Sequence, residues 1–459
     1  MPERTTRLER DALGEIEVPG SALWGASTQR AIQNFPISGE RLPREFLRAL
    51  GQIKRAAAVA NGELGVLDAD RAEWIGRAAA EVEAGALDEH FPVDVFQTGS
   101  GTSTNMNANE VIARRAVDLR GRQGPRIHPN DHVNASQSSN DVIPTALHVA
   151  AREAVHSELL PALATLAEAF RAKQRSLGGA VKLGRTHGMD ATPVRFGDEF
   201  GAWASQLEAA AARVREAADG LGPVAIGGTA VGNGLNCPSG FPERVCAQLS
   251  KWTGRAYSRA ADPFAAQGAQ DAAVHLSGAL RGAATASFKI ASDVRLLASG
   301  PRGGIAELRL PAIQPGSSIM PGKVNPVLCE AVLQVAAQVI GHDAAIGVAG
   351  LSGQLELNTF LPLIARNLLS STRLLANVSR VFAEGCIAGL EVDADRARSW
   401  AEQSTALATA LVPRIGYDRA AQLAKEAFAS GRTVRDVAIE AGVLPEAELD
   451  QLLDLERFV

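Results

Sequence analysis

Aromatic side chains make up only 5% of the 459 residues, with Tyr at 2 and Phe at 14. The interior must therefore be mainly aliphatic. Cysteine is equally sparse: Cys237, Cys246, Cys329 and Cys386 form no CxxC pair and no close cluster. That spacing excludes the usual zinc and iron–sulfur patterns and reads as buried free thiols. Positive charge is not in excess, because 46 Lys and Arg stand against 51 Asp and Glu, a formal net charge of -5. Long-range attraction of nucleic acid or anionic membranes is excluded, so an anionic substrate needs a local cluster of donors. An apolar leader is missing too, since MPERTTRLERD carries charge throughout, and a cytoplasmic protein is expected. The longest uncharged run found, Gly220 to Pro242, is broken by Gly, Pro and Asn and reads as a loop, not a spanning helix.

What is present is alanine in every stretch, with 46% hydrophobic and 21% charged residues. Alanine loses no side-chain entropy in a helix and lets helices approach closely, so the composition predicts an all-α protein. Residues 1–138 read as a mixed first domain with turn signals at Pro19-Gly20, Ser38-Gly39 and Gly124-Pro125 and no long uninterrupted helix pattern. A central domain over 139–392 carries helical stripes. The first starts at Asn140-Asp141 with Pro144 in its first turn, and a second starts after Pro161 and ends at Gly178-Gly179. Others run through Phe196, Phe200, Trp203 and Leu207, through Leu276, Leu280, Ile290 and Val294, through Leu328, Val332, Val335 and Val339, and through Phe360, Ile364, Leu368 and Leu375. Helices this apolar need partners on more than one face, which suggests a bundle completed by other subunits. Residues 393–459 become short, charged stripes stopped at Gly416, Gly431 and Gly442, a small helical tail domain.

Five segments are poor in core residues and rich in Ser, Thr, Asn, His and Gly. In QTGSGTSTNMNANE, Gln97 to Glu110, the residues Ser100, Gly101 and Thr102 offer hydroxyls and N–H groups to a carboxylate. The bland alternative is a cap for the helix that follows. HPNDH places His128 and His132 at i, i+4, but Pro129 and Asn130 argue against a regular helix and no carboxylate-rich partner motif is near, so no metal site is read. Ser138, Ser139 and Asn140 sit at a helix start, where free N–H groups and the dipole favour an anion. In GRTHGMDATP, Thr186 and His187 stand among turn residues, and histidine is the side chain best able to move protons near neutrality. GSSIMPGKVNP, Gly316 to Pro326, combines Gly, Pro and Ser in a loop able to move over a site, with Lys323 and Asn325 as donors and Glu330 in the first turn of the next helix.

Together these residues resemble the fumarase/aspartase superfamily, through nearly the whole chain. GSSIMPGKVNP matches its signature loop, which aspartate ammonia-lyases share. LWGASTQRAIQNFPISG at Leu23 to Gly39, Ser100 in QTGSGT, SSND and CEA at Cys329 to Ala331 are more similar to class II fumarases. The resemblance implies a three-domain, all-α fold whose long central bundle is pooled across a homotetramer, with each active site drawn from three subunits and no cofactor or metal. It implies elimination of water from L-malate to give fumarate; the alternative is an ammonia-lyase releasing fumarate. By the same resemblance Ser317 takes a proton, a choice over Ser318 that the residues alone leave open, and His187 with Glu330 handles the leaving water. Ser100, Gly101, Thr102, Ser138, Ser139, Asn140, Thr186, Ser318, Lys323, Val324 and Asn325 would bind substrate, and His128, Pro129, Asn130 and Asp131 a secondary anion. The chain departs from the pattern at Gly188-Met189 and Asn233, near the expected pocket, and at Arg414 in the tail.

Overall fold

A computed structural model describes residues 6–121 and 124–459. Among the described residues helices dominate and the strands form only two-stranded pairs, as the all-α reading expects. Strands β1 (Thr6–Asp11) and β2 (Gly14–Pro19) pair antiparallel. Helices α1 (Ala26–Asn34), α2 (Arg44–Glu63), α3 (Ala69–Ala84), α4 (Thr102–Arg120), α5 (Ser139–Ala154) and α6 (Leu160–Leu177) follow. After the hairpin of β3 (Val181–Thr186) and β4 (Met189–Arg195) come α7 (Phe196–Asp219), α8 (Phe241–Thr253), α9 (Pro263–Gly268), α10 (Asp271–Leu297), α11 (Val327–Leu351) and α12 (Leu361–Phe382). Short helices fill the tail, including Ala394–Gln403, Tyr417–Ser430 and Val434–Glu440.

Two compact units divide the chain. One comprises Met1–Pro161, Ala211–Ala284 and Ala336–Ala376; the other comprises Ala162–Ala210, Thr285–Val335 and Asn377–Val459. In the first, α2 packs against α3, α5 and α8, and α4 against α3 and α5. Three long helices therefore occupy a region where the sequence suggested no long helical pattern. In two of them the pattern was hidden because the buried faces carry polar residues: Gln52, Lys54 and Asn61 on α2, and Asn105, Asn107, Asn109 and Glu110 on α4. Buried polar groups are tolerated when hydrogen-bonded, and the hydrophobic period is then no guide to the face that is inside.

Helix α5 begins before the expected Asn140-Asp141 start. Ser138 is its cap, accepting from the Asn140 N–H while the Asp141 carboxylate accepts from the Ser138 N–H, a reciprocal capping box. The chain does not break at Pro161 either. A π-turn over Val155–Leu159 keeps it helical into α6, and the wider turn accommodates a ring that would clash with an α-helical carbonyl.

In the second unit several of the scarce aromatics meet. Phe170 meets Trp203 at 5.5 Å and Phe382 at 6.4 Å, and Phe200 lies 5.7 Å from Trp203. A further apolar cluster joins Val181 and Leu183 of β3 to Leu407, Leu411, Leu423, Val434 and Val437 of the tail. Full burial of such side chains is worth ~1.5–3 kcal/mol each, so the hairpin base is firmly held. Arg414, a departure from the family pattern, forms an ion pair with Glu448 within the tail. Cys246, Cys329 and Cys386 are buried, whereas Cys237 is only half-buried. Helix α11 is long and apolar enough to cross a membrane by length and composition, with 28% of that stretch buried within the chain.

Candidate active site

The first unit carries a chain of hydroxyls at two helix starts. Ser100 Oγ lies 2.7 Å from Thr102 Oγ1, which lies 2.7 Å from Ser139 Oγ. Gly101 caps α4 and Ser138 caps α5, so the hydroxyls stand where both helices present unpaired N–H groups and positive dipole ends. Asn140 Nδ2 donates to the Ala230 carbonyl at 2.8 Å, in the segment that holds Asn233. That Asn233 makes a local turn, its Oδ1 accepting from the Leu235 N–H at 3.2 Å.

The residues from His128 form a π-turn over Pro129–Val133. His128 Nδ1 accepts from the N–H groups of Asn130 and Asp131, and His132 Nδ1 accepts from the His128 N–H at 2.7 Å. The two imidazoles thus shape the turn. Among the described residues no group of three or more His, Cys, Asp or Glu is placed to hold a metal.

In the second unit Thr186 and His187 stand at the tip of a β-hairpin, a strand pair that the turn-rich sequence did not reveal. Thr186 pairs with Met189 across a two-residue turn in which His187 has φ 56° and Gly188 φ 73°. Positive φ at both positions is the turn type that matches strand twist, and glycine adopts it without strain. The register shifts between Leu183 and Arg185, a bulge that re-aims the residues beyond it. Arg185 then donates to both oxygens of Glu307 at 3.0 and 2.7 Å, while Lys182, 1% exposed, lies 2.7 Å from Glu199 and 3.4 Å from Glu307. Thr186 and His187 are exposed, and His187 makes no side-chain hydrogen bond among the described residues. Sequence reasoning missed this buried network; the only signal was a lysine between the apolar Val181 and Leu183 of one strand.

The Gly316 to Pro326 loop is closed on itself. The Gly316 N–H donates to the Lys323 carbonyl at 2.9 Å, and Asn325 Nδ2 donates to the Gly316 carbonyl at 2.5 Å. A Cβ at Gly316 would lie 2.1 Å from the Lys323 oxygen, so the closure requires glycine. Ser317 Oγ accepts from the N–H groups of Ile319 at 3.2 Å and Met320 at 3.0 Å. Ser318, Lys323 and Val324 are exposed. Beside the loop lies a concavity lined by Arg295, Arg302, Arg309, Lys323, Asn325 and Arg396, with Asp393 the one carboxylate in its wall. This is the local positive cluster that the net charge lacks. Glu330 does lie in the first turn of α11, and within the chain its ion-pair partner is Arg295 at 3.9 Å.

Residues 14–341 match the profile of a lyase family, and residues 407–459 match that of the fumarase C C-terminus. Curated relatives include class II fumarate hydratases of Mycobacterium tuberculosis, 52% identical over 98% of this chain and 95% of theirs. That of Halobacterium salinarum is 53% identical over 98% and 96%. Among solved structures, class II fumarase from Schistosoma mansoni superposes with a TM-score of 0.95 at 38% identity, covering 98% of each chain. A fumarate lyase:delta crystallin from Brucella melitensis, bound to cobalt, gives 0.94 at 47% identity and 99% of each chain. Fold and loop thus define an all-α lyase. The chain belongs to that lyase family and, within it, to the class II fumarate hydratases.

Proposed function

We propose that the protein is a fumarate hydratase, catalysing the reversible anti elimination of water from L-malate to give fumarate. The observation that carries the catalytic assignment is Ser317, whose Oγ accepts from two backbone N–H groups. Those donors favour the alkoxide over the hydroxyl, and that favours Ser317 as the base over exposed Ser318. Ser317 removes the proton from the carbon beside one carboxylate. The electron pair is accepted by that carboxylate, held by Lys323 and Asn325 with Thr186 assisting. The carbon–oxygen bond opposite then breaks, and the hydroxide takes a proton from His187 to leave as water. Glu330, whose partner within its own chain is Arg295, orients the water-handling imidazole of a neighbouring subunit in the assembled site. Ser100, Gly101, Thr102, Ser138, Ser139 and Asn140 bind the other carboxylate, with Ser318 and Val324 lining the loop side. His128, Pro129, Asn130 and Asp131 form a secondary anion site at the entrance.

These groups are distributed over both units, and the reading assembles them in a homotetramer, each site drawing on three subunits. The barely covered apolar faces of α11 support such an assembly, since subunit helices bury them as lipid would. The enzyme works without metal or organic cofactor, in the cytoplasm.

Ultraviolet absorbance of fumarate formed from L-malate, set against that formed from L-aspartate, tests the proposal. Turnover of malate is expected; fumarate appearing only from aspartate makes the protein an ammonia-lyase.

A further inference from the structure

Lys54 on α2 is wholly shielded from solvent, and no step above uses it. Its Nζ donates to Asn134 Oδ1 and to Gln137 Oε1, each at 3.0 Å. Seven residues on, the same face of α2 presents Asn61, whose Nδ2 donates to the Ala135 carbonyl at 3.0 Å and whose Oδ1 accepts from Ser136 Oγ at 2.6 Å. Two side chains of one helix thus grip the four-residue link from Asn134 to Gln137. That link joins the His128 turn to the Ser138–Asn140 donors. From α4, Asn105 and Asn109 also donate to Asn134 Oδ1, at 3.1 and 3.2 Å. On the far side, Asp141 accepts from the N–H groups of Ser138, Gly227 and Thr229.

Burying an ammonium costs several kcal/mol even after relaxation. An apolar side chain of similar volume serves stability as well or better, so packing alone does not account for a lysine here. Its position does: the positive charge is bonded to Gln137, one residue before the Ser138–Asn140 segment assigned above to a carboxylate, in a low-dielectric surrounding where charge acts strongly.

We propose that Lys54 is a positioning residue for substrate binding. Its ammonium holds the Asn134–Gln137 link so that Ser138, Ser139 and Asn140 present their donors together, and it adds positive charge beneath them. The inference rests on the dicarboxylate reading given above, though not on the choice between water and ammonia as leaving group. It has a pH signature. Burial pushes the Lys54 amine down to about 7, opposed by the attraction of Asp141, and burial pushes Asp141 up to about 6. The charged group facing Lys54 is Asp141 on α5; the side chains met from α4 and from the link are uncharged amides. Above neutrality the amine loses its charge while the dicarboxylate is already ionised, so affinity falls.

The test uses steady-state kinetics of the intact enzyme with whichever of L-malate and L-aspartate the wild type turns over, so the substrate reading is decided separately by the wild type. Lys54→Met keeps the side-chain stem and removes the charge. Its KM at neutral pH is expected to rise about tenfold or more with kcat within about threefold, the pattern of lost binding. The rise of KM with alkaline pH expected of the wild type should be absent. An unchanged KM, a loss confined to kcat, or an alkaline rise that persists in the variant overturns the proposal. Should Lys54→Met not fold, Asn134→Ser at a half-buried position removes the acceptor and leaves the charge. Its KM is expected to rise about fivefold with the alkaline limb retained, and an unchanged KM overturns the proposal equally.

Discussion

Arg185 grips Glu307 with two parallel hydrogen bonds, and Glu307 has no solvent exposure at all. Arg185 is two residues from His187, so this pair anchors the hairpin tip that carries the proposed proton donor. The bidentate geometry fixes orientation as well as distance. Lys182 and Glu199 complete a network of two cations and two carboxylates.

Glu307→Gln is expected to strand Lys182 and Arg185 with one carboxylate between them. Breaking a buried pair costs ~3–5 kcal/mol. A lowered melting temperature should accompany a fall in kcat, read by thermal unfolding and by fumarate formation at saturating malate. Unchanged values for both would show that the pair does not anchor the hairpin.

Ser317→Ala removes the proposed base, and His187→Asn the proposed proton donor. Asparagine accepts positive φ readily, so the turn should persist. Each variant is expected to lose about two or more powers of ten in kcat with the circular dichroism spectrum and oligomer size unchanged. Near-normal rates in both would remove the role assignments.

Gly316→Ala tests the loop closure. A methyl group 2.1 Å from the Lys323 oxygen must open the ring, displacing Ser317 relative to Lys323 and Asn325. Misplacement of this order costs about a hundredfold in rate. The loop is largely exposed, so the melting temperature should hardly move; a full rate would mean that the closure is dispensable.

Buried Lys54 has a consequence for stability as well. Its amine falls from 10.5 to about 7 on folding, so between those pH values the unfolded chain binds more protons than the native one. Stability contributed by this residue therefore rises with pH across that window. Asp141, raised from 3.8 to about 6, acts in the opposite direction below it, because there the native state holds the extra proton. Melting temperatures of wild type and Lys54→Met across pH about 7 to 10.5 should converge or cross in favour of the wild type as pH rises. A constant difference would mean that Lys54 does not titrate in that window.

The long helices α7, α10, α11 and α12 were legible because their apolar stripes recur at helical spacing. The loop at Gly316 was legible because turn residues and chemical residues coincide there. Helices α2 and α4 were not, since they bury Lys54, Asn61, Asn105 and Asn109 on faces that periodicity assigns to solvent. The β3–β4 hairpin escaped because its turn, His187-Gly188, reads as a loop until Thr186 and Met189 are seen paired.

By itself, the sequence determined the helical class, the donor-rich segments and the loop, because propensity, turn chemistry and residue type act locally. Only the tertiary structure set Ser317 apart from Ser318, since the N–H groups of Ile319 and Met320 reach the Ser317 hydroxyl. It also paired Glu330 with Arg295 within the chain, bonded Lys54 to Asn134 and Gln137, and set Glu307 against Arg185. Such pairings depend on segments up to 122 residues apart meeting in a low-dielectric interior, where the strength of a charge depends on what surrounds it and not on its neighbours in sequence.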